Sequence, residues 1–294
     1  MTDHPALRLS FHLGGHKTAT THFQASLFKN RAHLRDAGVQ YYPPRKLRGP
    51  GRNFDHRFGR KRPPGTDPQQ ILQQMAKGQG QIIFSDENLL GRVHNRKAPD
   101  VTLFYPRATA ELKKFVRACP GHQIELFIAI RNTGDFYRSL YCQQLVSGRH
   151  ISFENFIAQT HHKSARWFRV MTRFSKMPEV SRIFVWRYED YPATVKTILS
   201  HMISPDLAEK VTLIGNRKND SLSAEAIFQL FDHVARGLPM TRADAEKLRR
   251  QYPQSEEYPT FEPWTAAEQA DSLRRYDKDI DRIAQMDKVT LITP

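Results

Sequence analysis

Four short apolar runs, each ending on a glycine or a polar cluster, constrain this chain more than any other feature. Leu7–Leu13 runs into Gly14-Gly15, and Gln81–Ser85 ends in Asp86-Glu87-Asn88. Ile124–Ile130 meets Arg131, and Arg182–Trp186 is followed by Tyr188-Glu189-Asp190. Apolar runs of this length bounded by turn residues read as buried strands, and Val39–Tyr42 is a further candidate. The segments between them carry helical spacing: Thr20–Arg35, Pro68–Lys77, Ala110–Ala118, Asp135–Val146, Phe153–Gln159, Ala165–Met177 and a helix ending near Met202. Strands alternating with helices predict an α/β fold, a parallel sheet flanked by helices. From Ala224 onward the sequence reads as all-helical and more polar. The expectation is a single domain over residues 1–294 with a helical C-terminal part from about 222 to 294.

Composition excludes several classes. With 294 residues and 39% apolar content the chain can bury one sizeable core and is too hydrophobic to be disordered. No uninterrupted apolar run reaches the roughly 18 residues of a membrane-spanning helix. Asp3 and Lys17 interrupt the first 25 positions, so no secretory signal is expected. Two cysteines, Cys119 and Cys142, supply neither a disulfide framework nor a zinc set, and read as reduced thiols in a cytoplasmic protein.

The net charge of +15 points to anionic partners: nucleic acid, an anionic polysaccharide, a membrane face or a multiply phosphorylated nucleotide. Much of it sits in Arg45–Arg62, where eight basic residues face one acid, Asp55. Its prolines and glycines read as loop, either solvated or facing an anion. Tyr41, Tyr42, Phe54 and Phe58 around it can stack on a sugar ring or pack the loop down.

In open parallel sheets ligands bind beyond the carboxyl ends of the strands, so those ends carry the functional reading. Residues 12–21 read His-Leu-Gly-Gly-His-Lys-Thr-Ala-Thr-Thr. Glycines permit a tight turn, and amides at the start of the following helix can then point at an anion. Lys17 adds charge, and Thr18, Thr20 and Thr21 add hydroxyls. The segment is no Walker A loop, because His16 separates Gly15 from Lys17. An ordinary strand–turn–helix with a threonine cap is the plain alternative. At the next informative strand end, Arg131 and Ser139 are spaced to converge on one phosphate, the arginine with a planar pair of donors and the serine with a hydroxyl.

On these residues the chain resembles the sulfotransferases that use 3′-phosphoadenosine 5′-phosphosulfate (PAPS). In that family a Lys-Thr/Ser-Gly-Thr-Thr loop after the first strand grips the 5′-phosphosulfate, as Lys17, Thr18, Thr20 and Thr21 would here. An Arg-x-x-x-Asp-x-x-x-Ser segment holds the 3′-phosphate, matched by Arg131, Asp135 and Ser139. A tyrosine after a strand approaches the adenine, matched by Tyr188. The resemblance spans residues 12–190 and implies the P-loop-like sulfotransferase fold, of the bacterial or carbohydrate type. It makes Gly15, His16, Lys17, Thr18, Ala19, Thr20, Thr21, Arg131, Ser139 and Tyr188 the nucleotide-binding set. Two pockets are then expected, around Lys17 and around Arg131, a nucleotide's length apart.

The sequence also departs from the family. Ala19 stands where the family has glycine, so the loop must tolerate a Cβ or hold that residue at negative φ. The late basic segment of the cytosolic small-molecule enzymes is replaced by Gly215–Ser223, where Arg217 and Lys218 are candidates to close over the nucleotide.

The implied reaction moves a sulfuryl group from PAPS to an acceptor hydroxyl or amine, in line, leaving 3′,5′-adenosine bisphosphate. Positioning and charge stabilisation dominate such loose transfers, and Lys17 would meet the charge on the leaving phosphate oxygen. No metal is expected. Glu87 is the first candidate for the general base, Asp86 the second; the alternatives are an ion pair with the basic segment, or for Glu87 a ligand of the acceptor hydroxyl. His16 is expected to shape the turn and His12 to be a satisfied core histidine. The expected partners are PAPS and a hydroxyl-bearing carbohydrate or lipid headgroup, with no specific nucleic acid. The alternatives are a nucleotide kinase, a nucleic-acid binder using the basic segment, and a sulfotransferase-like nucleotide binder without turnover.

Overall fold

The computed structural model describes residues 6–49, 51–94, 103–215 and 221–294. Its centre is a six-stranded parallel sheet: β1 (Arg8–His12), β2 (Val39–Tyr42), β3 (Gln81–Ser85), β4 (Gln123–Ile130), β5 (Val180–Arg187) and β6 (Val289–Ile292). The strands lie in the order β2-β3-β1-β4-β5-β6, every pair parallel. All five residues of β3 and all but Gln123 of β4 are buried. That is why these strands read as continuous apolar runs: both faces of a parallel sheet are covered.

Apolar residues cover the two faces. Phe11 and Phe84 meet Phe54 and Phe115 in edge-to-face and tilted contacts, and Phe58 packs on Phe54 and Phe115. Elsewhere Phe23, Leu27 and Leu34 pack with Phe127, Trp186 and Tyr191. The basic segment is therefore not a free loop. It forms short helices Pro44–Leu47 and Phe54–Phe58, whose Leu47, Phe54 and Phe58 anchor it in the core.

Two elements differ from the sequence reading. The helix expected over Thr20–Arg35 breaks into Thr20–Lys29 and Arg31–Asp36. The break is at Asn30, whose side-chain amide donates to the Ser26 and Thr212 carbonyls and whose Oδ1 accepts from the Thr212 amide. The C-terminal part is not all-helical, because Val289–Ile292 adds a parallel edge strand beside Ile183–Trp186. Lys288 secures it, its Nζ donating to the Met177 and Val180 carbonyls.

The chain divides into two compact units. The first, residues 1–131, 166–215 and 278–294, holds the whole sheet. The second, residues 132–165 and 216–277, is helical and includes Thr133–Val146, Ala224–Ala235 and Arg242–Gln251. Leaving β1, the chain runs to β2 and β3 on one side and then crosses to β4 on the other. The carboxyl ends of β1 and β4 thus flank a topological switch point, where open α/β sheets form their ligand crevice.

Candidate active site

The loop after β1 is built on close backbone approach. Gly15 donates its amide to the Ala129 carbonyl, and a Cβ there would lie 2.7 Å from that oxygen, so only glycine fits. Gly14 has φ 48° and packs against the Thr20 methyl. The turn continues with Lys17 at φ 62° and Ala19 at φ 57°, both left-handed. Of the two alternatives for Ala19, the tolerated Cβ rather than a negative φ is the one present. The loop accepts the Cβ and its strain, about 1–2 kcal/mol per such residue. Thr18 is buried and its Oγ1 donates to the Gly15 carbonyl at 2.6 Å, closing the turn.

Ala19 then caps the helix Thr20–Lys29 without a side-chain hydrogen bond. The first amides of a helix have no carbonyl within it to pair with, so those of Thr20 and Thr21 are available to an anion. Thr20 is buried while Thr21 is exposed.

Arg131 follows the last residue of β4. Its Nη1 donates to the Lys17 carbonyl at 2.9 Å, and its guanidinium lies 4.3 Å from the centre of the Tyr188 ring. Tyr188 opens one turn of 3-10 helix directly after β5. Trp167 fixes the strand end through its indole N–H, which donates to the Arg131 carbonyl at 2.8 Å. The Nε of Arg131 is buried without a hydrogen-bond partner. Three positions singled out in the sequence, Lys17, Arg131 and Tyr188, therefore meet where β1, β4 and β5 end. Arg131 lies against the backbone of the Lys17 loop.

The acidic end of β3 belongs to the same unit. Asp86 is buried and accepts from Arg48 Nε at 3.1 Å and Nη2 at 2.7 Å, and from the Asn88 amide. Glu87 is half-buried, pairs with Arg48 at 2.7 Å and accepts from Gln24. Burial raises the pKa of both carboxyls, and Arg48 opposes it. Burial prevails at Asp86, whose pKa lies above the ordinary carboxylate range. At Glu87 the hydrogen bonds and charge of Arg48, with Gln24, prevail and hold it below that range. The ion-paired alternative for Glu87 is thus the arrangement present.

The two histidines differ. His12 is buried with its Nδ1 2.7 Å from Ser85 Oγ, and burial lowers its pKa to about 4 against the attraction of Glu87. His16 is half-buried, with its backbone amide 3.2 Å and its Nδ1 2.8 Å from the Tyr105 hydroxyl. Tyr105 and Arg48 were not picked out from the sequence. Arg48 was one of eight basic residues in its segment; Tyr105 carries no local signal.

Ser139 is buried in the helix Thr133–Val146 of the second unit, and Asp135 in the same helix pairs with Arg138 at 2.6 Å. Arg217 and Lys218 lie outside the described residues. Phe54 and Phe58 pack the basic segment down, as one of their two expected roles had it. Among the described residues no group of three or more His, Cys, Asp or Glu is arranged to hold a metal ion, and no helix is long and apolar enough to cross a membrane. Cys119 and Cys142 are buried and form no disulfide.

No protein-family profile and no curated protein match the chain. Among solved structures, a sulfotransferase from Alicyclobacillus acidocaldarius matches at 13% identity and a TM-score of 0.41, covering 86% of this chain and 98% of that one. Retinol dehydratase in complex with retinol and PAP matches at 11% identity and a TM-score of 0.32, covering 96% of this chain and 83% of that one. The same enzyme with androsterone and inactive cofactor PAP matches at 12% identity and 0.32, with the same coverage. At such low scores the reading of the site rests on its own residues.

Proposed function

We propose that this chain is a sulfotransferase of the PAPS-dependent family, binding the nucleotide where β1, β4 and β5 end. The observation that carries the reading is the Arg131 guanidinium, hydrogen-bonded to the Lys17 carbonyl and lying over Tyr188. It joins all three segments that resemble the family's nucleotide motifs, at the switch point of the sheet.

In this reading Lys17 and the amides of Thr20 and Thr21 hold the phosphosulfate, with Gly15 holding the loop against β4. Arg131 serves the 3′-phosphate and Tyr188 lies along the adenine. The oxygen of an acceptor hydroxyl forms a new bond to sulfur as the sulfur–oxygen bond to the 5′-phosphate breaks. The bonding pair goes to the leaving phosphate oxygen, and Lys17 stabilises the charge there. A proton acceptor takes the hydroxyl proton, and Glu87 adds a fixed negative charge beside it.

The proposed acceptor is a carbohydrate or lipid-headgroup hydroxyl. The test is a screen of such acceptors with PAPS carrying labelled sulfur. Transfer of label, reduced about a hundredfold or more in Lys17→Ala, is expected. Transfer of a phosphoryl group from ATP instead would contradict the reading and favour a kinase.

A further inference from the structure

We propose that His16, held by Tyr105 within the loop after β1, is the residue that takes the proton from the acceptor hydroxyl. This assignment rests on the sulfotransferase reading above and moves the base from the end of β3 into the phosphate loop.

The geometry around His16 is specific. One buried hydroxyl, that of Tyr105, lies within hydrogen-bond distance of both the backbone amide and Nδ1 of the same histidine. A phenolic oxygen has acceptor capacity for both N–H groups. In the tautomer assigned here, Nδ1–H and the backbone N–H both donate to it, which fixes the imidazole in one orientation. The neutral ring then carries its lone pair on Nε2.

Tyr105 itself is held under strain. It is fully buried and adopts φ 47°, a left-handed conformation that costs about 1–2 kcal/mol for a non-glycine residue. Arg173 forks onto this turn, Nη1 donating to the Tyr105 carbonyl and Nη2 to the Phe104 carbonyl, both at 2.6 Å. The Tyr105 ring packs against Trp167, whose indole holds the Arg131 carbonyl. Strain persists where the surroundings over-determine it, and such sites concentrate at functional positions. Here Arg173 and Trp167 supply the restraint, and what they aim is the Tyr105 hydroxyl at His16.

The charges facing His16 suit a ring that starts neutral and ends protonated. Burial lowers its pKa below the ordinary value, so the ring is neutral at pH 7. Glu87 pulls in the opposite direction, Arg48 lowers the pKa further, and Asp86 and the Asn88 side chain raise it. With Nδ1 on Tyr105, Asn88 is the group the acceptor hydroxyl must displace at Nε2. Once His16 holds the proton, the Glu87 carboxylate stabilises the imidazolium. Glu87 itself is a poor proton acceptor, because Arg48 keeps its pKa low. In the balanced step, the acceptor oxygen bonds to sulfur, the phosphate oxygen leaves with the bonding pair, and the proton passes to His16 Nε2 and then to water.

Two measurements test this. Nitrogen-15 histidine NMR on the unmodified protein reads the tautomer directly. A neutral His16 protonated at Nδ1 is expected; protonation at Nε2, with Nδ1 accepting from Tyr105, would overturn the assignment. The second measures turnover of PAPS against pH, with affinity for 3′,5′-adenosine bisphosphate followed separately by calorimetry. His16→Gln is expected to lower kcat about a hundredfold or more and to remove the acid limb of the profile. Glu87→Gln should retain an acid limb displaced to lower pH, and Tyr105→Phe should lower kcat with little change in affinity. An acid limb that survives in His16→Gln and disappears in Glu87→Gln returns the base to Glu87. Loss of bisphosphate binding in wild type would instead sink the sulfotransferase reading, while the tautomer measurement stands apart from it.

Discussion

In the first unit Arg48 reaches out of the basic segment to Asp86 and Glu87, Arg8 reaches Glu125, and Arg166 reaches Asp279. The side chains of Asp86, Glu125 and Asp279 are 5%, 9% and 3% exposed, so these pairs exist only because the fold has buried one member. In the second unit Asp271 pairs with Arg274 and Arg275, Glu246 with Arg249 and Asp232 with Arg236, all within one turn of helix. The one long-range pair among this unit's described residues, Arg138 with Glu262, leaves the Glu262 side chain 39% exposed. Arg274 is 70% exposed and Asp271 47%. Pairs of the second kind contribute little, because water and salt screen them and two long side chains must be ordered. Pairs of the first kind cannot be broken cheaply, because the partner stays buried and charged. Titration and substitution should therefore affect the first unit far more than the second.

The largest expected effect is acid destabilisation through His12. Its native pKa is about 4, against 6.5 for an unperturbed histidine, so the unfolded chain takes up a proton first. The stability this contributes is fully present above pH 6.5 and is lost progressively as pH falls towards 4, by about 3 kcal/mol. Urea unfolding at pH 7 and pH 4.5 measures it, and His12→Gln should flatten that part of the dependence. Next comes Arg48→Met, which leaves Asp86 and Glu87 without their cation. The loss should be about 2 kcal/mol, below that of a fully buried pair because Arg48 keeps 40% of its side chain exposed.

A smaller effect of opposite sign is expected at Ala19. Glycine relieves the left-handed strain but gains freedom in the unfolded chain, leaving a net stabilisation of about 0.5–1 kcal/mol in Ala19→Gly. The smallest belongs to the second unit, where Asp271→Asn should change the unfolding free energy by less than about 0.5 kcal/mol. A loss there as large as that of Arg48→Met would remove the distinction between the units.

Much of this site was legible in the sequence because strand ends announce themselves. The runs ending at Gly14, Asp86, Arg131 and Tyr188 are the carboxyl ends of β1, β3, β4 and β5, and glycine at position 15 has a steric reason visible in its contact with Ala129. What stayed hidden depends on tertiary placement. Val289–Ile292 is four residues behind a polar helix, too short to read as a strand until β5 pairs with it. The link from Tyr105 to His16 spans 89 positions and that from Arg48 to Asp86 spans 38, and neither has a periodic signature. The left-handed Ala19 went against the local preference of an alanine, which the tight turn of the loop overrides.

The central claim is that the ends of β1, β4 and β5 form one nucleotide site around Lys17 and Arg131. Titration calorimetry with 3′,5′-adenosine bisphosphate measures it most directly. The account predicts saturable binding, weaker binding of ATP, and a loss of about tenfold or more in each of Lys17→Ala and Arg131→Ala, the cost of removing a charged hydrogen-bond donor. Binding that neither substitution weakens, or a preference for ATP, would contradict it.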